Sequence, residues 1–230
     1  MTKLLGRLVL YGTLLGCCGL MVLVVSGHGR AWWYPLYRRV VGSPTEAALL
    51  EDIRRRKPAL QAMPIVQSLT LIAYKAEREL EVWSGGRRLM SVPVLAASGG
   101  PGPKTRAGDR QVPEGLYPIE ALNPASAFYL SLRVGYPNAD DRARSQRLGV
   151  TDLGGDIYIH GKDVSIGCLA VGDDRIEDLY ALVARAGVAQ TRIIIAPTRR
   201  VLEPGFTREG DLRELDARIA AAIRATQVAP

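Results

Sequence analysis

Short apolar runs separated by turn residues dominate the first two thirds of the chain after residue 67, a pattern typical of β-strands. The first three runs are joined by short polar turns and predict an antiparallel meander, in which Trp83 is a core residue. A loop is predicted at Ser98–Lys104, because its glycines and prolines do not suit a regular strand. The predicted strands of this part are Ser68–Tyr74, Glu79–Trp83, Arg88–Ala97, Leu116–Ile119 and Phe128–Val134.

The pattern becomes helical after residue 172, where apolar side chains recur every three or four positions. Gly187 ends this helix, and we attribute Asp173 and Asp174 to favourable charge at its N-terminus. A buried strand at Arg192–Ala196 and an arginine-rich surface helix at Thr207–Ala225 follow. The buried face of the first helix is predicted to be Ile176, Leu179, Tyr180 and Val183. Together these elements indicate an α+β, β-rich domain.

The N-terminal part contains an uncharged stretch, Leu8–Val25, that is long enough to approach the thickness of a hydrocarbon core. Aromatic residues at 32–34 suit a membrane interface just beyond it, and no convincing cleavage site follows, which favours a retained anchor. The net charge of +7 is spread along the chain. Because no RNA-binding, phosphate-loop or zinc-finger pattern accompanies this charge, we expect no nucleic-acid partner.

The candidate chemistry lies in Asp156–Ala170. The chain has two histidines and three cysteines, and only His160 and Cys168 lie beyond residue 30. A thiol becomes a nucleophile near neutral pH with the help of a base, and imidazole suits that task. We expect a hairpin-like arrangement, with a strand at Asp156–His160 and a returning strand at Val164–Cys168. Two core residues without catalytic roles remain the alternative, and a zinc site is disfavoured because two ligands are too few.

Several separated blocks resemble one known family. His160-Gly161 followed by Ser165–Cys168 resembles the signature of the L,D-transpeptidase catalytic domain (YkuD type). Upstream blocks agree in order and point to its YafK-like branch: Glu77–Trp83, Gly108–Gln111, Pro113–Tyr117, Leu122–Pro124 and Leu132–Ala139. The resemblance implies the L,D-transpeptidase catalytic fold over residues 65–200.

The resemblance also implies a mechanism. Cys168 is the nucleophile and His160 the proton acceptor and donor, acting on peptidoglycan stem peptides through a thioacyl intermediate without metal or other cofactor. The outcome is either transpeptidation or hydrolysis that releases peptidoglycan-linked lipoprotein. Two departures from the family pattern, Ile166 in place of histidine and Leu169 after the cysteine, alter the acceptor side. Together with the resemblance to the lipoprotein-detaching branch, they favour hydrolysis slightly.

Four further residues complete the predicted site. Backbone amides near Gly167 and Cys168 are expected to hold the oxyanion, because a glycine lets the backbone approach a ligand closely. Ser165 and Gly161 are expected to line the site, with Ser165 a candidate for orienting the histidine. Arg133 is a candidate partner for a substrate carboxylate, against the alternative of a structural ion pair.

The predicted organisation is an anchor at residues 1–30, a juxtamembrane segment and helical spacer at 31–64, a catalytic domain at 65–200 and a C-terminal helix at 201–230. The positive charges beside the apolar stretch would by themselves favour the opposite orientation, but the family resemblance implies a single-pass protein of the cytoplasmic (inner) membrane whose catalytic domain faces the periplasm. Two alternatives stay open: a catalytically inactive, membrane-anchored peptidoglycan-binding module, and a cytoplasm-facing thiol enzyme with a different substrate.

Overall fold

A computed structural model of the chain describes residues 45–65, 68–100 and 102–228. The predicted membrane span Leu8–Val25 lies outside these residues. Within them, no helix has both the length and the apolar character needed to cross a membrane.

The described residues build one mixed sheet of nine strands. The strands are β1 (Leu69–Tyr74), β2 (Glu79–Ser84), β3 (Arg87–Pro93), β4 (Ala96–Ala97), β5 (Gly115–Ser126), β6 (Tyr129–Val134), β7 (Tyr158–His160), β8 (Leu169–Ala170) and β9 (Thr191–Ala196). Their order across the sheet is β3-β2-β1-β9-β5-β6-β7-β8-β4.

In the described ranges, five α-helices accompany the sheet. They are α1 (Glu46–Arg56), α2 (Ala59–Ala62), α3 (Ala139–Arg147), α4 (Asp173–Ala186) and α5 (Leu212–Val228), with short 3-10 helices at Val188–Gln190 and Arg199–Leu202. The mixed α+β, sheet-rich character predicted from the sequence is confirmed.

The centre of the sheet is the parallel pair β1 and β9, in register from Leu69 opposite Thr191 to Tyr74 opposite Ala196. Every residue of β1 is buried. A strand covered on both faces needs apolar side chains in both directions, which explains the continuous apolar runs at these positions. One covering layer is α5, which packs Leu215, Ile219, Ala220 and Ile223 against Ile72, Tyr74, Ile194 and Ala196.

Strand β5 joins the two halves of the sheet. Its first part, Gly115–Pro118, pairs with β9, and the part from Ile119 to Ser126 pairs with β6 through two register irregularities. The sequence predicted only Leu116–Ile119 as strand. The longer extent arises because β6 holds the proline-containing second part in an extended conformation that its own apolar pattern does not indicate.

Helix α4 packs on β6 and β7 and carries α1 on its own surface. All four residues of its predicted buried face are buried. At the end of α1, Arg56 binds Glu177 at 2.8 Å and Lys57 binds Asp178 at 2.7 Å. The helix predicted to be a spacer therefore packs on α4, and the described residues from Glu46 onward form one compact unit.

The predicted hairpin around the candidate site is wrong. Val164–Cys168 is not a strand in the structure, and the strand that follows β7 is Leu169–Ala170. Strands β7 and β8 run parallel, with Ile159 opposite Leu169. Parallel neighbours cannot be joined by a tight two-residue turn, so the chain passes through an irregular loop, and this loop carries Cys168.

Candidate active site

The pairing of β7 with β8 sets the positions of His160 and Cys168 in the fold. His160 is the last residue of β7 and lies opposite Ala170, while Cys168 immediately precedes β8. Directly opposite residues of paired strands share a face of the sheet, so Ala170 lies on the same side as His160. Cys168 lies two residues before Ala170, at the end of the loop that leads into β8.

His160 is held in one tautomer. Its side chain is almost completely buried, and Nδ1 lies 2.6 Å from the carbonyl oxygen of Gly161. A carbonyl only accepts hydrogen bonds, so in the neutral ring Nδ1 carries the proton and Nε2 keeps the lone pair of a base. The ring of Phe128 covers the imidazole at a centroid separation of 4.6 Å.

Burial lowers the pKa of His160 below its ordinary value of 6.5, and the hydrogen bond to Gly161 opposes this shift. The imidazole is therefore neutral at pH 7. A neutral imidazole with a free Nε2 is the form that accepts a proton.

Cys168 is half-buried, and its thiol is in the protonated form. Burial raises the pKa of Cys168, a hydrogen bond from the Tyr158 backbone N–H lowers it, and the charge of Asp156 raises it. The Sγ–H donates to the carbonyl of Asp156 at 3.6 Å. Among the described residues, no hydrogen bond joins Sγ to the His160 ring. The site thus holds a neutral thiol and a neutral base. In enzymes without bound substrate, the hydrogen bond between nucleophile and base is often long or poorly aligned, and it shortens only in the substrate complex.

Ser165 organises the turn before the nucleophile. Its Oγ accepts hydrogen bonds from the backbone N–H groups of Gly167 at 3.2 Å and Cys168 at 2.8 Å, and donates to the Cys168 carbonyl at 2.7 Å. The two amides predicted to hold an oxyanion therefore already converge on one oxygen atom, the Ser165 hydroxyl. The hydroxyl bonds to this turn, whereas the imidazole is oriented by Gly161.

The loop of residues 104–111 packs against the loop that carries Cys168, residues 161–168, which we call the nucleophile loop. A side chain at Gly167 would meet the backbone of Arg110 and Gln111 within 4 Å. That backbone is shaped by Asp109, which binds Lys104 Nζ at 2.7 Å and accepts from the N–H groups of residues 105, 106 and 111. Burial works to raise the pKa of Asp109, but these hydrogen bonds outweigh it and lower the pKa to about 2. The loop is therefore built around an ionised carboxylate.

Arg133 lies on β6 opposite Tyr158, in the same cross-strand row as the nucleophile loop. Its guanidinium is half exposed and pairs with Glu120 at 3.3 Å. This exposed ion pair leaves the charge accessible to a substrate carboxylate on this face.

A cleft of about 480 Å³ lies near the start of β8, and neither His160 nor Cys168 lines it. One wall is the loop from Ala97 to Gly102, which begins opposite Leu169, the residue after the nucleophile. The other wall carries Lys75, Pro197 and Arg208. Within the described ranges, no group of three or more His, Cys, Asp or Glu side chains is arranged to hold a metal ion.

Two residues near this site, Phe128 and Asp109, were not predicted as site residues from the sequence. Phe128 was assigned only to a strand, and nothing in its local pattern signals that its ring covers an imidazole. Asp109 falls within a block that resembles the family, which is the one signal that could have identified it.

Comparison with known proteins agrees with the sequence resemblance. The family model described as YkuD, L,D-transpeptidase catalytic domain, matches residues 68–199. A protein of Escherichia coli (strain K12), "Putative L,D-transpeptidase YafK", is 35% identical over 135 residues, covering 55% of this chain and 52% of the relative. The chain thus spans about half the length of the curated relatives it matches.

Solved structures give weaker similarity. The helical cell shape determining protein Pgp2 from Campylobacter jejuni is 18% identical with a TM-score of 0.47, covering 74% of this chain and 63% of that one. L,D-transpeptidase 1 of Mycobacterium tuberculosis is 17% identical with a TM-score of 0.33, covering 56% and 62%. The family relationship therefore rests on the sequence matches.

Proposed function

The chain belongs to the L,D-transpeptidase catalytic-domain (YkuD) family, and from this membership we propose a peptidoglycan-modifying cysteine enzyme that acts on stem peptides. The observation that carries the proposal is the pairing of β7 with β8. His160, with a free Nε2, lies opposite Ala170, and the half-buried thiol of Cys168 is two residues before Ala170, which supports a pairing of thiol and base.

The proposed reaction begins with proton transfer from the Cys168 thiol to Nε2 of His160. The sulfur attacks a stem-peptide carbonyl, and an S–C bond forms while the carbonyl becomes an oxyanion. The imidazolium then gives its proton to the leaving amine as the C–N bond breaks, which leaves a thioacyl enzyme. Resemblance to the family implies that the attacked bond follows a meso-diaminopimelate residue.

The oxyanion is proposed to bind at the convergent amides of Gly167 and Cys168. These amides already share one oxygen acceptor, the Ser165 hydroxyl, so an oxyanion takes the place of that hydroxyl. Preorganised backbone donors of this kind stabilise negative charge that develops during acyl transfer. Arg133 is proposed to bind a carboxylate of the stem peptide.

The acyl group then passes to water or to an amine. We favour water, and with it release of peptidoglycan-linked lipoprotein, because of the resemblance to the YafK-like branch and the apolar residue at position 166. Ile166 is 80% exposed on the nucleophile loop, where it offers an acceptor amine no hydrogen bond or charge. Transpeptidation is the other outcome of the same thioacyl enzyme.

The apolar stretch Leu8–Val25 supports a proposed location on the cytoplasmic (inner) membrane. The domain is proposed to face the periplasm, where peptidoglycan lies. A reporter that is active only in the periplasm, fused after Pro230, tests this arrangement, and activity of a cytoplasm-specific reporter at the same position contradicts it.

The test of function incubates the purified chain with peptidoglycan sacculi, with and without attached lipoprotein, and identifies the released products by mass spectrometry. Cys168→Ala and His160→Gln are expected to abolish product, while Cys17→Ser/Cys18→Ser is the matched control that retains it. Cys168-dependent loss of the lipoprotein linkage indicates a hydrolase. New crosslinks or exchanged terminal residues indicate a transpeptidase.

A catalytically inactive binding module is the second candidate. It is favoured by one observation, the thiol proton directed at the Asp156 carbonyl rather than at the imidazole. This candidate predicts that a folded Cys168→Ala variant binds sacculi as the parent chain does, and that neither chain releases any product.

A further inference from the structure

One peptide group links His160 to helix α4. The carbonyl of Gly161 accepts from His160 Nδ1 at 2.6 Å, and the N–H of the same peptide, that of Lys162, donates to Asp173 Oδ1 at 2.9 Å. The C=O and N–H of a trans peptide point in opposite directions within its plane, so the imidazole and the carboxylate lie at opposite edges of one rigid peptide group. We propose that Asp173 is a positioning residue for His160, acting through the Gly161–Lys162 peptide group. In naming His160 as the base that needs positioning, this inference rests on the proposed function.

The segment is tightly confined around that plane. A side chain at Gly161 would come within 2.6 Å of both Asp173 Oδ1 and the Phe128 carbonyl oxygen. Only a glycine therefore lets the peptide approach the carboxylate and the neighbouring turn together.

Lys162 adopts a left-handed conformation with φ of +61°, which costs a non-glycine residue of order 1 kcal/mol. Asp173 binds this residue twice, at its N–H and, through Oδ2, at Nζ at 2.6 Å. The carboxylate thereby stabilises the conformation that turns the Gly161 carbonyl towards the imidazole.

The link also has an electrostatic effect. A carboxylate that accepts from a peptide N–H polarises the carbonyl of the same peptide and makes it a stronger acceptor. The Nδ1–H bond strengthens most when the ring is protonated, which is the state that follows proton transfer from Cys168. The carboxylate thus serves the imidazole as the buried aspartate does in hydrolases with a Ser-His-Asp triad, with one peptide group inserted between them.

Helix capping does not explain this residue. Gly172 occupies the N-cap position of α4, without a side-chain capping bond, and both oxygens of Asp173 bind Lys162. Its neighbour Asp174 also lies in the first turn but pairs with Lys57 at 2.7 Å, and its side chain is 70% exposed. Asp174 therefore offers a matched control for charge at the helix N-terminus.

The test measures the His160 titration by NMR in the full-length chain. The chain has two histidines, and His160→Gln identifies the signals of this one. The charged groups around the segment are Lys162, Asp173, Glu177 and, bound to Glu177, Arg56 and Lys57. Because all of these except Asp173 stay in place in Asp173→Asn, the variant isolates one carboxylate.

We expect Asp173→Asn to lower the pKa of His160 by about half a unit to one unit, since the imidazolium loses the polarised carbonyl. The acid limb of the pH profile of kcat/KM moves to lower pH with it, and kcat falls about tenfold with little change in KM. Asp174→Asn is expected to leave the His160 titration and the pH profile unchanged. If Asp173→Asn does not fold, Asp173→Ser gives the same measurement.

An unchanged His160 titration in a folded Asp173 variant overturns the inference, and so does an equal shift in Asp174→Asn. The titration does not depend on turnover. Absence of Cys168-dependent product in the parent chain would therefore contradict the proposed function and leave the titration as a separate test of the link.

Discussion

Asp109 supplies the sharpest test of how the nucleophile loop is supported. The side chains of Asp109 and Lys104 are 9% and 6% exposed, and the carboxylate accepts three backbone hydrogen bonds in addition to the lysine. Although burial opposes ionisation, these donors lower its pKa from 3.8 to about 2. Each unit of difference corresponds to about 1.4 kcal/mol, so ionised Asp109 contributes about 2 kcal/mol of folding free energy at neutral pH.

The perturbation is Asp109→Asn, which keeps the shape of the side chain and removes its charge. We expect the free energy of unfolding at pH 7 to fall by about 2–3 kcal/mol, since the buried Lys104 ammonium also loses its partner. The folded-state pKa lies below the unfolded value. The contribution is therefore fully present above about pH 4 and is lost as the pH falls towards 2.

The assay is urea unfolding of parent and variant between pH 7 and pH 2, followed by circular dichroism. The difference between the two chains should shrink through the interval from pH 4 to pH 2, whereas Asp163→Asn, an exposed residue of the nucleophile loop, should show little difference throughout. A difference that stays constant across this interval, or that is below about 0.5 kcal/mol at pH 7, would refute the electrostatic reasoning.

Three further outcomes follow from the structure. The acid limb of kcat/KM should have its midpoint below 6.5, because burial lowers the pKa of the His160 base; a midpoint above 6.5 contradicts a buried imidazole. Phe128→Ala should raise that midpoint by exposing the His160 ring to water, and Phe128→Leu should raise it less. An unchanged midpoint in both variants would show that the contact with Phe128 does not affect the pKa of His160. Glu114→Gln should lower the free energy of unfolding by about 3 kcal/mol in a denaturant titration, since fully buried Glu114 binds Lys75 at 2.9 Å and Arg208 at 2.8 Å; a loss under 1 kcal/mol would show that the two cations find other partners.

Much of the scaffold was predictable from local pattern. The strands at the sheet centre and helix α4 have apolar runs of the right period, so Leu69–Tyr74, Thr191–Ala196 and Asp173–Ala186 lie close to their predicted bounds. The two strands are buried on both sides and the helix along one face, and the spacing of apolar residues in a sequence reflects this kind of burial. The family was also predictable, because several short blocks occur in the expected order.

The predictions that were wrong concern features that depend on contacts between distant segments of the chain. Nothing between His160 and Leu169 indicates that β8 runs parallel to β7, since two short strands joined by a few residues favour a hairpin. Ser165 was considered as a partner for His160, but its hydroxyl bonds to the turn that contains it. The residue that orients the imidazole is Gly161, and it does so with a backbone carbonyl, a group that every residue has and that sequence therefore cannot single out.

The pairing of β1 with β9 restricts the order in which the strands of the sheet can pair while the chain is synthesised. Leu69 lies beside Thr191 and Tyr74 beside Ala196, so β1, which pairs with β2 on its other edge, has no partner on this edge until β9 has been made. Pairings between such distant positions form late, because the long intervening segment must first be closed into a loop. During synthesis β1 can therefore pair with β2 well before β9 exists. For a domain proposed to act on the far side of a membrane, the sheet would thus lack its central pairing while the chain is threaded through a translocation channel.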